Sequence, residues 1–388
     1  MGLLVVAWLI LASSPLQAQN PAKMPIPSDV VFEPSGKVPR FQITLDPENL
    51  KKLGENPRNY VKATVVIDGS SFPEVGLRLK GAAGSFRGWQ DRPALTLNFD
   101  KFRNGQNWLG LDKIHLNNSA QDGTLFNEIL GSEIARAMDL PTARAGHAIV
   151  ELNDKAQGKR PLGIYVLKEG YNRGFLRRNF PRADRGNLYD GGFLRDIDQP
   201  LELEAGEDVK HADLKKLTTA CQEGDVNKRF QKVCELLDTD RFYTNIALQV
   251  LTCDWDGYVR NRNNYRIYFR EKDNKAVFIP HGMDQLFGNP QDGLRPGFES
   301  LVARAIMSHP DGRKLADARL REMVQKHFQV DRLHKRIDEW VAKFKESVKG
   351  TPYEPLGKDL EERAKAIKNQ VSARADYLKR ELPNLKSS

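Results

Sequence analysis

With 388 residues, the chain is long enough for two or three domain-sized units or for one bilobed enzyme. A hydrophobic share of 40% against 29% charged residues fits an ordinary globular protein, and nothing in the composition points to a disordered chain or a repeat array. The net charge of +9 favours anionic partners such as nucleotides, acidic polypeptides or envelope polyanions. No Lys/Arg run is dense enough to point to nucleic acid.

The apolar run Leu3 to Ala12, then Ser13-Ser14-Pro15 and the small residue Ala18, resembles a secretory signal peptide over residues 1–19. The run falls short of the roughly 20 residues of a membrane span. Export follows, so a secreted, periplasmic or cell-envelope location and no stable membrane span after cleavage are expected. The n-region lacks Lys and Arg, and an uncleaved anchor is the alternative. Residues 20–40 carry Pro21, Pro25, Pro27, Pro34 and Pro39 and read as a linker or loosely packed arm.

Residues 41–170 read as a first lobe of sheet plus one helix. Strands are predicted at Phe41 to Leu45, Val61 to Ile67, Val75 to Lys80, Leu95 to Phe99 and Ile114 to Leu116. Asp122 to Met138 has the spacing of an amphipathic helix, with Leu125, Ile129 and Ile134 on its apolar side. His147 to Leu152 and Leu162 to Leu167 are further strands. Residues 171–388 read as a mainly helical second lobe. Helices are predicted at Asp213 to Cys221, Lys228 to Leu237 and Asp240 to Leu251. A hairpin follows (Tyr265 to Phe269 with Ala276 to Ile279), then further helices, the last from Leu360 to Leu382. Cys221, Cys234 and Cys253 are too few for a disulfide framework. Cys221 and Cys234 bridge only if neighbouring helices bring them together; otherwise all are buried thiols.

The chemistry concentrates around the hairpin. Before it lie Asp254, Asp256, Asn261 and Asn264; after it lies Asp284. Taken singly, each Asp reads as a turn or helix cap. Taken together, these hard oxygen ligands suit Mg²⁺ or Mn²⁺. Asp256 and Asn261 have the D-x-x-x-x-N spacing of a kinase catalytic loop, and Asp284 follows a hydrophobic strand as a metal-binding kinase aspartate does. On this reading Asp256 orients the acceptor hydroxyl, and Asp284 with Asn264 or Asn261 holds the metal. Lys80 at a strand end is the candidate cation for phosphate, with the Gly81-Ala82-Ala83-Gly84-Ser85 turn beside it. Glu128 and Glu133 on the predicted helix are candidate partners for Lys80. No Walker A loop, H-E-x-x-H, C-x-x-C or G-x-S-x-G motif occurs.

These residues carry a resemblance to the spore coat protein H (CotH) family of atypical kinases. The segments that match are Gly76-Leu77-Arg78-Leu79-Lys80-Gly81, Asp122 with Leu125 to Glu128, Val150-Glu151-Leu152-Asn153, Leu162 to Glu169, Gly186-Asn187-Leu188-Tyr189, Asp254 to Tyr268 and Ile279 to Phe287. The resemblance implies a bilobed α+β kinase-like fold, with an N-terminal antiparallel sheet plus one helix and a mostly helical C-terminal lobe. It implies ATP-dependent phosphorylation of Ser or Thr in a secreted or envelope protein, with Mg²⁺ or Mn²⁺. Asp256 takes the catalytic-loop role, Asp284 the metal role, and Asn264 fits the family's Asn-before-Tyr position better than Asn261. Lys80 and Glu128 fall to the nucleotide. The chain departs from the family at Gly282, where an acid is usual, and at Asn98, where Lys is common. Those departures keep open a catalytically inactive envelope or coat module; a metal-dependent hydrolase is a third reading.

Overall fold

The computed structural model describes residues 27–154, 158–208 and 210–385; the predicted signal segment lies outside them. In chain order the elements are α1 (Asp29–Phe32), β1 (Arg40–Leu45), α2 (Pro47–Glu55), β2 (Val61–Ile67), β3 (Ser70–Lys80), β4 (Ala94–Asn98), β5 (Lys113–Asn117), α3 (Asn127–Ala137), β6 (Ala145–Asp154) and β7 (Gly158–Glu169). There follow α4 (Arg173–Asn179), β8 (Asn187–Asp190), β9 (Glu202–Ala205), α5 (Ala212–Cys221), α6 (Val226–Leu236), α7 (Thr239–Leu251), α8 (Tyr258–Asn261), β10 (Tyr265–Phe269) and β11 (Ala276–Pro280). The chain closes with α9 (Leu301–Met307), α10 (Pro310–His327), α11 (Val330–Val348), α12 (Pro355–Glu381) and a short 3₁₀ turn. The fold is mixed α+β.

Strands β1 to β7 form a closed barrel in the order β1-β2-β3-β4-β5-β7-β6, and the antiparallel pairing expected holds for every neighbouring pair but one. Closure comes from a parallel pairing of β1 with β6, in which Phe41 faces Val150 and Ile43 faces Leu152. The inward residues alternate, as the strand period requires: Phe41, Ile43 and Leu45 on β1, Val61, Ala63, Val65 and Ile67 on β2. A closed barrel leaves no open sheet edge. The outward residues Ile149, Ile164 and Val166 of β6 and β7 belong to a second, larger core. That core holds α3, α7 and the C-terminal helices.

Helix α3 begins at Asn127 rather than Asp122. The five residues before it form a cap loop, because the Asp122 carboxylate accepts from the Thr124 and Asn127 N–H groups at 2.8 and 3.0 Å. The predicted hairpin forms as β10–β11 and sits in a four-stranded sheet ordered β11-β10-β8-β9, whose short strands β8 and β9 have no clear alternation. Both hairpin strands are buried along their whole length. The second half is helical otherwise.

The Pro-rich stretch read as a loose arm is firmly packed where it is described. Val31, Phe32 and Val38 are buried. The Lys343 ammonium on α11 donates to the Val31 and Glu33 carbonyls at 3.0 and 2.9 Å, and the Val38 N–H donates to Ser347 Oγ at 3.1 Å. Prolines set the turns; the buried apolar residues between them decide the packing. All three cysteines are free thiols.

Candidate functional site

The site starts at the end of α7, whose residues from Phe242 to Leu251 are all buried. Thr244, Asn245 and Gln249 interrupt this apolar helix with buried polar side chains. Gln249 Nε2 donates to Asn245 Oδ1 at 3.2 Å, and Gln249 Oε1 accepts the Val259 N–H at 3.2 Å. The Gln249 carbonyl accepts the Asp254 N–H at 2.8 Å. The buried Asp254 carboxylate in turn accepts the Asp256 N–H. Burial, reinforced by the neighbouring Asp256 charge, pushes the Asp254 carboxyl up to about 7. The loop is thus tied to α7 at several backbone points. Gly257 has no room for a side chain: a Cβ there would lie 2.4 Å from Gln249 Oε1 and 2.7 Å from Asp254 Oδ2.

Asp256 is held by side-chain amides. Asn261 Nδ2 donates to Oδ1 at 2.6 Å, and Asn263 Nδ2 reaches both oxygens at 3.1 Å. Asn264 Nδ2 donates to Oδ2 at 2.8 Å, and Gln285 Nε2 to Oδ2 at 3.3 Å. Asn261 and Asn264, expected as metal ligands, therefore turn their amide nitrogens to Asp256. The Asn264 oxygen lies over Gly282, where a Cβ would come within 2.4 Å of it. Gly282 also has φ of +61°, so the acid usual in the family would strike Asn264 here.

Asp284 lies on the other side of the hairpin. Its carbonyl accepts from Asn127 Nδ2 at 3.1 Å, which ties it to the start of α3. Burial first, and then the Glu128 charge, pushes its carboxyl up to about 7, against the pull of Lys80 and Lys168. Next to Asn127, Glu128 is ion-paired with Lys168 of β7, and both are almost fully buried. Burial is the largest influence on Lys168 and opposes its charge, but the charge and hydrogen bond of Glu128 together with Tyr171 hold the ammonium above the usual lysine range.

The expected Lys80–Glu128 pair is not formed. Lys80 Nζ donates to Asn117 Oδ1 on β5 instead. Burial, then repulsion from Lys168, lowers Lys80 to about 8, while Glu128 and Asp284 act the other way. Lys80 thus lies within the field of the site but is not the ion-pair lysine. Glu133, the other candidate partner, bonds Arg336 and Trp340. In the glycine turn, the Ala82, Ser85 and Phe86 N–H groups bond within the turn itself and are not left open for phosphate.

Sequence reasoning missed Lys168, Asn127, Asn263 and Gln285. Lys168 carries a readable signal, since it is the one cation in the apolar end of β7, at Tyr165-Val166-Leu167-Lys168. The others have none, because amides occur in any loop.

Among the described residues no three His, Cys, Asp or Glu side chains cluster closely enough to hold a metal ion on their own. Two buried oxygens beside Asp284 nevertheless have no hydrogen-bond partner: Asn127 Oδ1 and Glu128 Oε2. With the Asp284 carboxylate they form a hard oxygen donor set, which fits a divalent cation of the Mg²⁺ or Mn²⁺ type. Surface cavities of about 300, 240 and 170 Å³ lie elsewhere, near His211, Arg177 and Asp359 respectively.

Residues 77–378, over three quarters of the chain, match the family described as CotH kinase protein. The chain is 24% identical to invasin CotH7 of Rhizopus delemar over 182 residues, covering 43% of this chain and 30% of the relative. It is 22% identical to spore coat protein homolog 1 of the same organism, covering 66% of this chain and 43% of the relative. The chain thus spans less than half of either Rhizopus protein. It is also 22% identical to the inner spore coat protein H of Bacillus subtilis, covering 88% of this chain and 97% of the relative. Among solved structures, the Helicobacter pylori proinflammatory kinase CtkA is 12% identical, with TM-score 0.28 over 77% of this chain and 97% of that one. The Golgi casein kinase is 9% identical, with TM-score 0.30 over 87% of this chain and 73% of that one. Superpositions this loose carry no residue roles.

Proposed function

The chain belongs to the CotH kinase protein family, and we propose that it is a bilobed atypical kinase that transfers the γ-phosphate of ATP to Ser or Thr hydroxyls of an envelope or coat protein. One observation carries this reading. Asp256 and Asp284 flank a single buried hairpin, and the Lys168–Glu128 ion pair lies beside Asp284. The barrel lobe supplies Lys80 and Lys168, and the helical lobe supplies Asp256 and Asp284.

Asp284, Glu128 Oε2 and Asn127 Oδ1 would hold Mg²⁺ or Mn²⁺, and the bound ion would neutralise charge on the β- and γ-phosphates. Lys168 and Lys80 place positive charge where an anionic nucleotide needs it. Asp256 accepts a hydrogen bond from the acceptor hydroxyl and aims its oxygen at the γ-phosphorus. The O–P bond to the acceptor forms as the bond to ADP breaks, and the hydroxyl proton leaves through Asp256 or to solvent. Little covalent help is needed; alignment and charge placement lower the barrier. The names of the relatives, spore coat protein and invasin, support an envelope or coat setting. No described helix is long and apolar enough to cross a membrane.

A second reading, a non-catalytic binding module, is favoured by one feature. The Asp256 carboxylate already accepts from Asn261, Asn263, Asn264 and Gln285, so its oxygens are engaged by the protein itself. Purified protein incubated with labelled ATP and Mn²⁺ separates the readings. Phosphate transfer to self or to envelope protein supports the kinase, whereas neither transfer nor nucleotide binding leaves the module.

A further inference from the structure

The buried stripe of α12 runs Leu360, Ala364, Ile367, Val371, Arg374 and Leu378, in the alternating spacing of a core-facing helix. One position of that stripe is charged. Arg374 is 0% exposed, as fully buried as Val371 beside it. A buried charge ordinarily sits against an opposite one. Among the described residues Arg374 bonds no carboxylate; its guanidinium donates to four backbone carbonyls instead.

Two of these carbonyls end α7: Nε donates to Leu251 at 3.2 Å, and Nη2 donates to Val250. The last carbonyls of a helix lack intrahelical partners and carry the negative end of its dipole, so a cation is stabilising there. The other two lie in the segment after Asp284: Nη1 donates to the Pro290 and Asp292 carbonyls at 3.0 and 2.6 Å. Arg374 thus joins the two stretches that carry the site. α7 leads through Thr252 and Cys253 into Asp254 and Asp256, and Pro290 to Asp292 follow Asp284. A further link closes the arrangement. The Asp292 carboxylate is ion-paired with Arg260 of α8, in the loop that carries Asp256.

We propose that Arg374 is a positioning residue for phosphoryl transfer, fixing Asp256 and Asp284 relative to each other by holding the ends of both segments. The roles of the two aspartates rest on the kinase reading. An apolar residue would fill the stripe equally well but would bond neither segment. The planar guanidinium presents donors in several fixed directions at once, which a lysine ammonium does not. Precise spacing matters here, because a misplacement of about 1 Å can cost about 10²-fold in rate.

Native-state hydrogen exchange on the full chain reads this lock without turnover, and labelled-ATP transfer reads its consequence. Arg374→Lys keeps the charge but loses the fork. Its amides from Asp254 to Asn264 and from Gln285 to Asp292 exchange at least about tenfold faster, both sets together, while those of β2 and β3 keep wild-type rates. Its kcat falls about ten- to a hundredfold. Val371→Ala, on the same stripe, is the control: it lowers the melting temperature but leaves both sets of amides and kcat unchanged. Should Arg374→Lys fail to fold, Asp292→Asn carries the test. That variant keeps the carbonyl that Arg374 uses and removes the charge that holds Arg260, and the same amides and kcat respond in the same direction. Faster exchange in one segment alone or in neither, or an equal loss of kcat in Val371→Ala, overturns the proposal. If wild type transfers no phosphate, the kinase reading fails by itself, and the exchange rates still decide whether Arg374 joins the two segments.

Discussion

The ammonium of Lys168 on β7 is bonded to the carboxylate of Glu128 on α3, and both groups are almost fully removed from solvent. The pair joins the barrel to the helix that caps the second core. Removing one partner of such a pair strands a buried charge, which costs about 3–5 kcal/mol. Lys168→Met is therefore expected to lower the melting temperature strongly. The double variant Lys168→Met, Glu128→Leu recovers most of that loss, because a buried pair replaced by apolar groups of similar size is close to neutral. Neither protein is expected to be stabilised by Mn²⁺ with ADP. Thermal melts with and without the ligand check both statements; a double variant that is stabilised as strongly as wild type would remove this pair from the nucleotide site.

Asp254 governs a pH effect. Its carboxyl is pushed up to about 7 in the folded chain, from an ordinary value of 3.8, chiefly by burial. A folded value above the unfolded one means that the native state binds the proton more tightly. The stabilising contribution is then complete below about pH 4 and is lost as pH rises to about 7. Asp254→Asn keeps the shape and removes the titration. Urea unfolding between pH 5 and 7 is expected to show a stability slope more positive by up to one proton in the variant, about 1.4 kcal/mol per pH unit. An unchanged slope would place the titration elsewhere.

Much of the barrel was legible because its strands alternate. Val61 to Ile67 points every second residue inward, and the pattern fixed both the strand and its inner face. Closure was not legible, since the β1–β6 pairing joins Phe41 to Val150 across more than a hundred residues and leaves no local trace. The hairpin and its flanking acids were readable from Asp/Asn clustering between apolar runs. The lysine partner of Glu128 was misassigned for a geometric reason. Lys80 is the last residue of β3 and Lys168 the last but one of β7, and sequence cannot say which of them faces α3. Helix α3 was placed too early because Leu125 keeps the spacing of Ile129, whereas Asp122, which accepts the Asn127 N–H, stands outside the helix as its cap.

Asp284 and Asp256 are expected to separate metal binding from acceptor alignment. Asp284→Asn halves the charge available beside Glu128 Oε2 and Asn127 Oδ1. Loss of the Mn²⁺-dependent shift in melting temperature and of about two orders of magnitude in transfer is expected. Asp256→Asn should retain that thermal shift while losing about 10²–10⁴ in kcat. It also sets an amide nitrogen against the donors of Asn261, Asn263, Asn264 and Gln285, so a stability loss of about 1–3 kcal/mol accompanies it. Isothermal titration with Mn²⁺ and ADP reads the first effect, and labelled-phosphate transfer reads the second. Equal Mn²⁺ affinity in wild type and Asp284→Asn would take the ion away from Asp284.

Gln249 tests whether α7 positions the loop rather than merely supporting the core. Its side chain bonds Asn245 on one side and the Val259 N–H on the other. Gln249→Leu preserves volume but leaves the Val259 N–H without its acceptor, at about 1–3 kcal/mol. Gly257→Ala drives a methyl into the same side chain and into Asp254. Both changes should displace Asp256 while leaving Asp284, Glu128 and Lys168 in place. The expected signature is a fall in kcat at nearly constant KM for ATP, because nucleotide contacts lie across the hairpin from the disturbed loop. A purely structural role would instead lower the active fraction and leave the kcat of the folded molecules unchanged. Active-site titration of the nucleotide-binding fraction, set against transfer rate, distinguishes the two. If the rate per binding-competent molecule matches wild type, Gln249 has no part in placing Asp256.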